Sequence, residues 1–376
     1  MLNANAKIPA LQAQMQWIAG KPQTSATSTT RLLYDFNNFN NSLDRKTGIL
    51  TGIVESSSAQ QESTICDPQT GKWALFFNGN NIYDGMSNLV NPDKKLDTLT
   101  NTYLTSIIAP GLAETVPTYY VFHIDRTTKH LNYGIVNFPT GLSGAANWVG
   151  IQSLNIDNGV ATPFGLACRN EEEYWVLTLA NVNTLVAYKC DTTGVNTTAP
   201  RHILLQPFSS LTGAVDCTKS SIVTFGNHIA ITVNNNIMVG TFNFNAGFSI
   251  PNFSQALVAT ATSTLAPDFN ADQTRLYFLK NWDSARKNHL WVYELDSGAS
   301  YSADSSYVYN YQYKTLKLAP NGTVYGINYF TTVNIDPILN IVEVPETGDV
   351  SVSEILNSDS NSSTTFGNIQ YQINNF

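Results

Sequence analysis

Residues 174–191, YWVLTLANVNTLVAYKCD, hold two runs of apolar, aromatic and β-branched residues around a short turn with two asparagines. Such runs, bounded by turn residues, have the length and composition of paired strands, and the alternation in the second suits a half-buried antiparallel strand. The same unit recurs along the chain. Aromatic strands begin near Trp73 (KWALFFN), Tyr119 (YYVFHID), Tyr174 (YWVLTLA), His228 (HIAITVN), Leu276 (LYFLKNW) and Val324 (VYGINYF). Partner strands follow as LNYGIVNF at 131–138, TLVAYKCD at 184–191, NIMVGTFNF at 236–244, HLWVYELD at 289–296 and ILNIVEVPE at 338–346. Asn78-Gly79, Asn158-Gly159 and Asn321-Gly322 can supply the positive φ that tight hairpins need. The spacing of the repeats, roughly 45–55 residues, lies in the range of propeller blades.

Six repeats fill about 60–348, and strand-like pieces flank them. RLLYDFNN (31–38) and TGILTGIVESS (47–57) stand in front, and FGNIQYQINNF (366–376) stands behind. Pairing the two chain ends in one shared sheet would remove both open edges. The expected fold is therefore an all-β, seven-bladed β-propeller over 31–376, closed by its N- and C-terminal strands. One segment has helical period. Ile8, Leu11, Met15 and Ile18 fall on one face of a helix over 8–19, with Pro9 suited to the first turn and Gly20 to the C-terminal cap. With KPQTSATSTT (21–30) as a linker, residues 1–30 are expected to form a helical arm. A lone amphipathic helix cannot bury its own face. It either packs on the body or docks on another chain, with Ile8, Leu11, Met15, Trp17 and Ile18 as the docking residues.

Composition narrows the classes of function. The chain of 376 residues is 43% hydrophobic, which suffices for a large core, and only 13% charged, about half the usual share of ~25%. A net charge of -8 and a pI near 5.1 argue against nucleic acid, whose phosphates need a basic surface. Gln12, Gln14 and Gln16 interrupt any apolar run of a secretory signal, and no stretch reaches the ~20 apolar residues of a membrane span. The expectation is synthesis in the cytoplasm without export by the general secretory route. Cys66, Cys168, Cys190 and Cys217 form no C-x-x-C pair, so zinc is not expected. They read as free buried thiols, with a Cys168–Cys190 disulfide as the alternative.

Three stretches carry a resemblance. ESTICDPQTGKWALFFNGNNIYDGM (62–86) resembles the opening blade of β-propellers in surface and gliding-associated proteins of Bacteroidetes. LAPDFNADQTRLYF (265–278) and LKLAPNGTVYGI (316–327) resemble blade segments of the same proteins. The resemblance covers about 60–376 in pattern and implies a propeller, not a particular activity. An exported member would carry a secretion signal and a C-terminal sorting domain, and neither is found in this sequence. A phage or other virus of such hosts could carry the module without either.

Signals of catalysis or metal binding are weak. Asp268-Phe269-Asn270-Ala271-Asp272 opens like a calcium loop, but Gln273 and Leu279 occupy the positions of the required Gly and Glu, so a hairpin turn explains it better. Glu171-Glu172-Glu173 could bind a cation or supply an acid; a solvated loop is the simpler reading. His123, His130, His202, His228 and His289 lack metal-ligand spacing, and His123 and His228 fall in expected strands. Ser143 lacks the glycine spacing of a nucleophile elbow. Asp67, Asp125, Asp283 and Asp336 could include the facing carboxylates of a glycosidase, which spacing does not test. Asn40, Asn196, Asn252, Asn321 and Asn361 open N-x-S/T sequons, a number near chance in a chain with about forty asparagines. No cofactor motif is found, and no metal or cofactor is expected.

The expected function is a non-catalytic structural or adhesive module of an extracellular assembly, best matched by a virion surface or spike component. The arm would contact other proteins of the assembly, and the outer loops would meet host glycan or protein. The alternatives are a bacterial glycan-binding or scaffolding propeller and a propeller hydrolase.

Overall fold

The computed structural model describes residues 16–25, 28–35, 46–53, 63–67, 70–92, 96, 106–112, 116–125, 130–154, 164–170, 172–216, 219–245, 247–257, 265–281, 288–302, 313–318, 322, 324–328, 338–341 and 353–355. Nearly all regular structure in them is β. The strands form seven antiparallel sheets, each continuous in sequence. The first holds β1 (Gln16–Ser25), β2 (Ser28–Asp35) and β3 (Lys46–Ile53). The second holds β4 (Ser63–Cys66), β5 (Trp73–Phe77) and β6 (Ile82–Asp84). The third runs β7 (Ile107–Pro110), β8 (Thr118–Ile124), β9 (Leu131–Asn137) and β10 (Asn147–Ser153). The fourth runs β11 (Gly165–Asn170), β12 (Glu173–Asn181), β13 (Thr184–Asp191) and β14 (Gly194–Val195), with β15 (Arg201–Leu204) also paired to β13. The fifth runs β16 (Ser221–Phe225), β17 (His228–Val233), β18 (Asn236–Asn243) and β19 (Ser249–Leu257). The sixth runs β20 (Leu265–Phe269), β21 (Arg275–Asn281), β22 (Asn288–Glu294) and β23 (Ser300–Ser302). The seventh runs β24 (Tyr313–Leu318), β25 (Val324–Asn328), β26 (Ile338–Ile341) and β27 (Ser353–Ile355).

All six aromatic strands of the repeat are second strands of their sheets, and their partner strands are third strands wherever the repeat was read. The turns between them carry the expected chemistry. Gly79 has φ 94° after β5, and the Asn78 side-chain oxygen accepts the N–H groups of Asn80 and Asn81. Asn234 and Asn235 join β17 to β18 with φ of 47° and 71°, both positive as a two-residue hairpin of this hand requires. The D-x-N-x-D string forms the β20–β21 turn. There the Asn270 and Asp272 side chains accept backbone N–H groups of Thr274 and Arg275.

Packing between sheets follows from the period of two. Along β12, Tyr174 and Val176 join a core shared with the second and third sheets, while Trp175, Leu177 and Leu179 join a core shared with the fifth. Along β21, Leu276 and Phe278 face the fifth sheet, while Tyr277 and Leu279 face the seventh. The middle strands are therefore apolar on both faces, and every described residue of β5 and β8 is buried. First strands of successive sheets lie side by side: β1 with β4, β4 with β7, β11 with β16, β16 with β20, and β20 with β24. The approach of β11 to β16 is close. A Cβ on Gly165 would lie 2.4 Å from Ile222 Cγ2, so glycine sets the spacing there.

Hydrogen bonds stitch these junctions. The Thr224 hydroxyl on β16 donates to the Leu166 carbonyl on β11. The Tyr174 hydroxyl donates to the Pro110 carbonyl at 2.8 Å, and the Tyr293 hydroxyl to Ser254 Oγ at 3.1 Å. Asp268, 1% exposed, accepts the Leu318 N–H at 2.9 Å through Oδ2, with Lys317 Nζ 3.6 Å from the same oxygen. One carboxylate thus joins the sixth sheet to the seventh.

The N-terminus departs from the sequence expectation. Trp17, Ile18, Ala19 and Gly20 lie in β1, opposite Tyr34, Leu33 and Leu32 for the first three, and are not helical. Ile8, Leu11 and Met15 lie outside the described residues. The helical spacing is a local preference, and pairing with the apolar β2 offers Trp17 and Ile18 a strand that suits their β-propensity. The stretch expected to be a linker, 21–30, supplies the ends of β1 and β2, and the division at residue 30 falls inside β2. The C-terminal piece 366–376 lies outside the described residues.

Replacing Asp268 with alanine leaves the buried Leu318 N–H and Lys317 without their acceptor. We expect a loss of about 3 kcal/mol or more in denaturant unfolding. Asp268→Asn keeps an acceptor and should lose less.

Candidate ligand-binding site

A cavity of about 460 Å³ opens where the fourth and fifth sheets meet. Its walls come from segments far apart in sequence. Arg169 stands near the end of β11, and Asn227 sits in the turn between β16 and β17. Thr241, Phe242 and Asn243 end β18, Phe244 and Asn245 follow it, and Pro251 and Asn252 lie on β19. β16 and β11 lie side by side, so their C-terminal ends bring Asn227 and Arg169 to the same side. The β18–β19 register slips between Thr241 and Asn243, which places Pro251 at a bulge where its missing N–H leaves no ladder bond unmade.

The floor is aromatic and tightly held. Phe242 packs against Phe248 with ring centroids 5.1 Å apart and against Phe244 at 5.7 Å. Phe244 meets Phe248 at 5.8 Å, and Phe248 stacks on Trp175 at 5.3 Å. Phe242 and Phe248 are buried, whereas Phe244 is half-buried at the wall. The rim is amide-rich: Asn227, Asn243, Asn245 and Asn252 are exposed. Asn243 Oδ1 accepts the Asn245 N–H at 2.9 Å, which fixes the loop past β18. The Phe242 N–H donates to the Asn227 carbonyl at 2.7 Å and ties the two turns together.

Beside the cavity lies an ion-pair chain. Glu173 accepts from Arg169 Nη1 at 3.3 Å, from Lys189 Nζ at 3.2 Å and from the Trp175 indole N–H at 3.1 Å. Lys189 also reaches Asp191 at 3.0 Å. The Thr193 hydroxyl and N–H, with Lys189, hold the Asp191 carboxyl down to about 2. Glu173 is thereby a scaffold member that positions Arg169, not an isolated acid; Glu172 is exposed and Glu171 lies outside the described residues.

The other residues singled out in the sequence are dispersed. Asp67 begins the β4–β5 turn, where it accepts the Thr70 hydroxyl at 2.8 Å. Asp125 follows β8, its N–H donating to the His130 carbonyl, and Asp283 and Asp336 lie outside the described residues. Ser143 lies in the loop between β9 and β10. Cys66, Cys168 and Cys190 are buried and stand outside any disulfide. Cys168 and Cys190 both register with Tyr174 from strands on either side of it, two strand spacings or about 10 Å apart, too far for a disulfide. Burial raises both thiols, Cys190 to about 12. Among the described residues no three His, Cys, Asp or Glu side chains gather as a metal site, and no helix is long and apolar enough to cross a membrane. The cavity residues themselves were not singled out in the sequence, except Asn252 as a sequon. The run T-F-N-F-N at 241–245, alternating aromatic with polar residues at a strand end, is the one local signal of them.

Solved structures with the same course of chain include the WD40 domain of SCAP from fission yeast, at 9% identity and a TM-score of 0.51. That match covers 95% of this chain and 89% of the other. The fold is a β-propeller. A Bacteroides uniformis protein provisionally assigned as a 6-phosphogluconolactonase matches equally well, with 8% identity and a TM-score of 0.51 over 94% of this chain and 100% of its own. Identities this low carry the propeller architecture and nothing of either protein's activity. No protein-family model matches the chain, and no curated protein sequence does.

His123, on the fully buried β8 of the propeller, has Nδ1 3.1 Å from the Val121 carbonyl and packs against Phe77. Burial lowers its pKa to about 4, against an ordinary 6.5. Between these values the unfolded chain takes up a proton that the folded one refuses. The stabilisation is complete above pH 6.5 and is lost as pH falls toward 4, by up to about 3 kcal/mol. His123→Leu should flatten the acid limb of the stability–pH curve by about one proton, measured by urea unfolding from pH 7 to 4.

Proposed function

We propose that this chain is a seven-bladed propeller acting as a non-catalytic adhesive module of an extracellular assembly, with a virion surface as the best-matched setting. The seven sheets and their side-by-side first strands support the blade count. Among the described residues the first sheet has three strands where five of the others have four or more. Closure is proposed as a pairing of the two chain ends in one shared sheet, with FGNIQYQINNF (366–376) as the C-terminal contribution. The virion setting is proposed from the sequence resemblance alone, carried by the blade segments at 62–86, 265–278 and 316–327. Residues 1–15, with Ile8, Leu11 and Met15, remain the proposed contact with other proteins of the assembly; Trp17 and Ile18 belong to the sheet.

The observation that carries the adhesive reading is the cavity between the fourth and fifth sheets. Its floor is an aromatic stack and its rim is rich in amides, with Arg169 beside them, a combination suited to holding a ligand. The carboxylates of its surroundings are engaged in scaffold bonds: Glu173 with Arg169 and Lys189, and Asp191 with Lys189 and Thr193.

Two measurements test this. Fluorescent chain should bind intact bacterial cells by flow cytometry, and a panel of glycosides, lactones and peptides should show no turnover. Turnover of any substrate, or absence of binding to every cell type tried, overturns the reading. Removing residues 1–15 should abolish incorporation into the assembly; a truncated chain that still incorporates overturns the proposed contact.

A further inference from the structure

We infer that the cavity lined by Arg169, Asn227, Asn243, Phe244 and Asn252 is a carbohydrate site for a neutral sugar ring. The inference rests on the adhesive reading above and gives it a ligand class. The lining sets the class by its chemistry. None of the nine described lining residues is acidic, so among them a metal cation or a basic peptide finds no counter-charge. The one cation, Arg169, already pairs with Glu173 at 3.3 Å, so an anionic ligand would have to compete with a carboxylate in place. A wholly apolar ligand would strip water from four asparagines with nothing to offer in return.

A neutral pyranose meets these conditions. Each asparagine carboxamide carries an acceptor oxygen and two N–H donors in one plane, which can answer adjacent hydroxyls that both donate and accept. The Asn243 oxygen is engaged by the Asn245 N–H, which leaves its amide nitrogen as the donor end on offer. The C–H face of a sugar ring needs a flat apolar surface, and half-buried Phe244 provides one. Its ring is held by Phe242 and Phe248, so little side-chain entropy remains to be lost on binding. A cavity of about 460 Å³ lies within the span of small-ligand sites, about 300–1,000 Å³. For a ligand of about 12 heavy atoms at ordinary efficiency, one ring binds on the order of millimolar, and several copies on a surface add avidity.

The experiment is an array of neutral and acidic oligosaccharides probed with fluorescent full-length chain, with free glucose, galactose and mannose as competitors. We expect retention on neutral glycans and displacement by at least one free hexose at millimolar concentration. Asn252→Ala removes an exposed rim amide, and Phe244→Leu keeps an apolar branched side chain while removing the flat ring. Each should lower retention tenfold or more with thermal melting unchanged. Three results overturn the site assignment: retention within twofold of the parent in both variants, signal confined to acidic glycans, or no neutral glycan retained. If cell binding persists in any of these cases, the adhesive reading survives and its ligand lies elsewhere.

Discussion

A sheet whose second strand is apolar on both faces cannot stand alone in water. That constraint governs this molecule. β12 sends Tyr174 and Val176 one way and Trp175, Leu177 and Leu179 the other, and β21 divides its side chains in the same manner. Each such sheet needs a neighbour on either side, and each neighbour has the same need. With strong twist and short turns, stacking identical units leads around an axis. Burial of the aromatic strands is thus the cause of the architecture.

Polar bonds refine what apolar burial begins. Thr224 to Leu166, Asp268 to Leu318 and Tyr174 to Pro110 act where sheets meet, and they fix the sliding freedom that greasy surfaces leave open. The aromatic floor of the cavity belongs to the same packing. Trp175 comes from the fourth sheet and Phe242 and Phe248 from the fifth, so the site exists only because those two sheets are locked together. Its rim residues sit on turns, which can change without disturbing the ladders behind them.

Much of the β architecture was legible because period-two patterning and aromatic strands are local signals. KWALFFN, YWVLTLA and HIAITVN each became a second strand, and the Asn-Gly turn at 78–79 behaved as its chemistry demands. The segment 8–19 shows the limit. Its spacing fits a helix, yet Gln16 to Ala19 find strand partners thirteen to nineteen residues later, from Asp35 to Leu32, and tertiary pairing decides. β15 was invisible for a related reason: RHIL is too short and polar to announce itself, and it exists by pairing with β13. The cavity was the least legible feature. Arg169, Asn227, Phe244 and Asn252 are ordinary residues apart, and only the folding of four separate segments makes them neighbours.

The junction bonds have one more consequence. Thr224, Asp268 and Tyr174 all address main-chain groups of the adjoining sheet, namely the Leu166 carbonyl, the Leu318 amide and the Pro110 carbonyl. Every amino acid brings a carbonyl, and all but proline an amide, so the receiving positions stay free to drift over generations. A lineage built this way can rewrite nearly all of its letters while its blades hold their places, which accords with likeness to solved propellers at 8–9% identity.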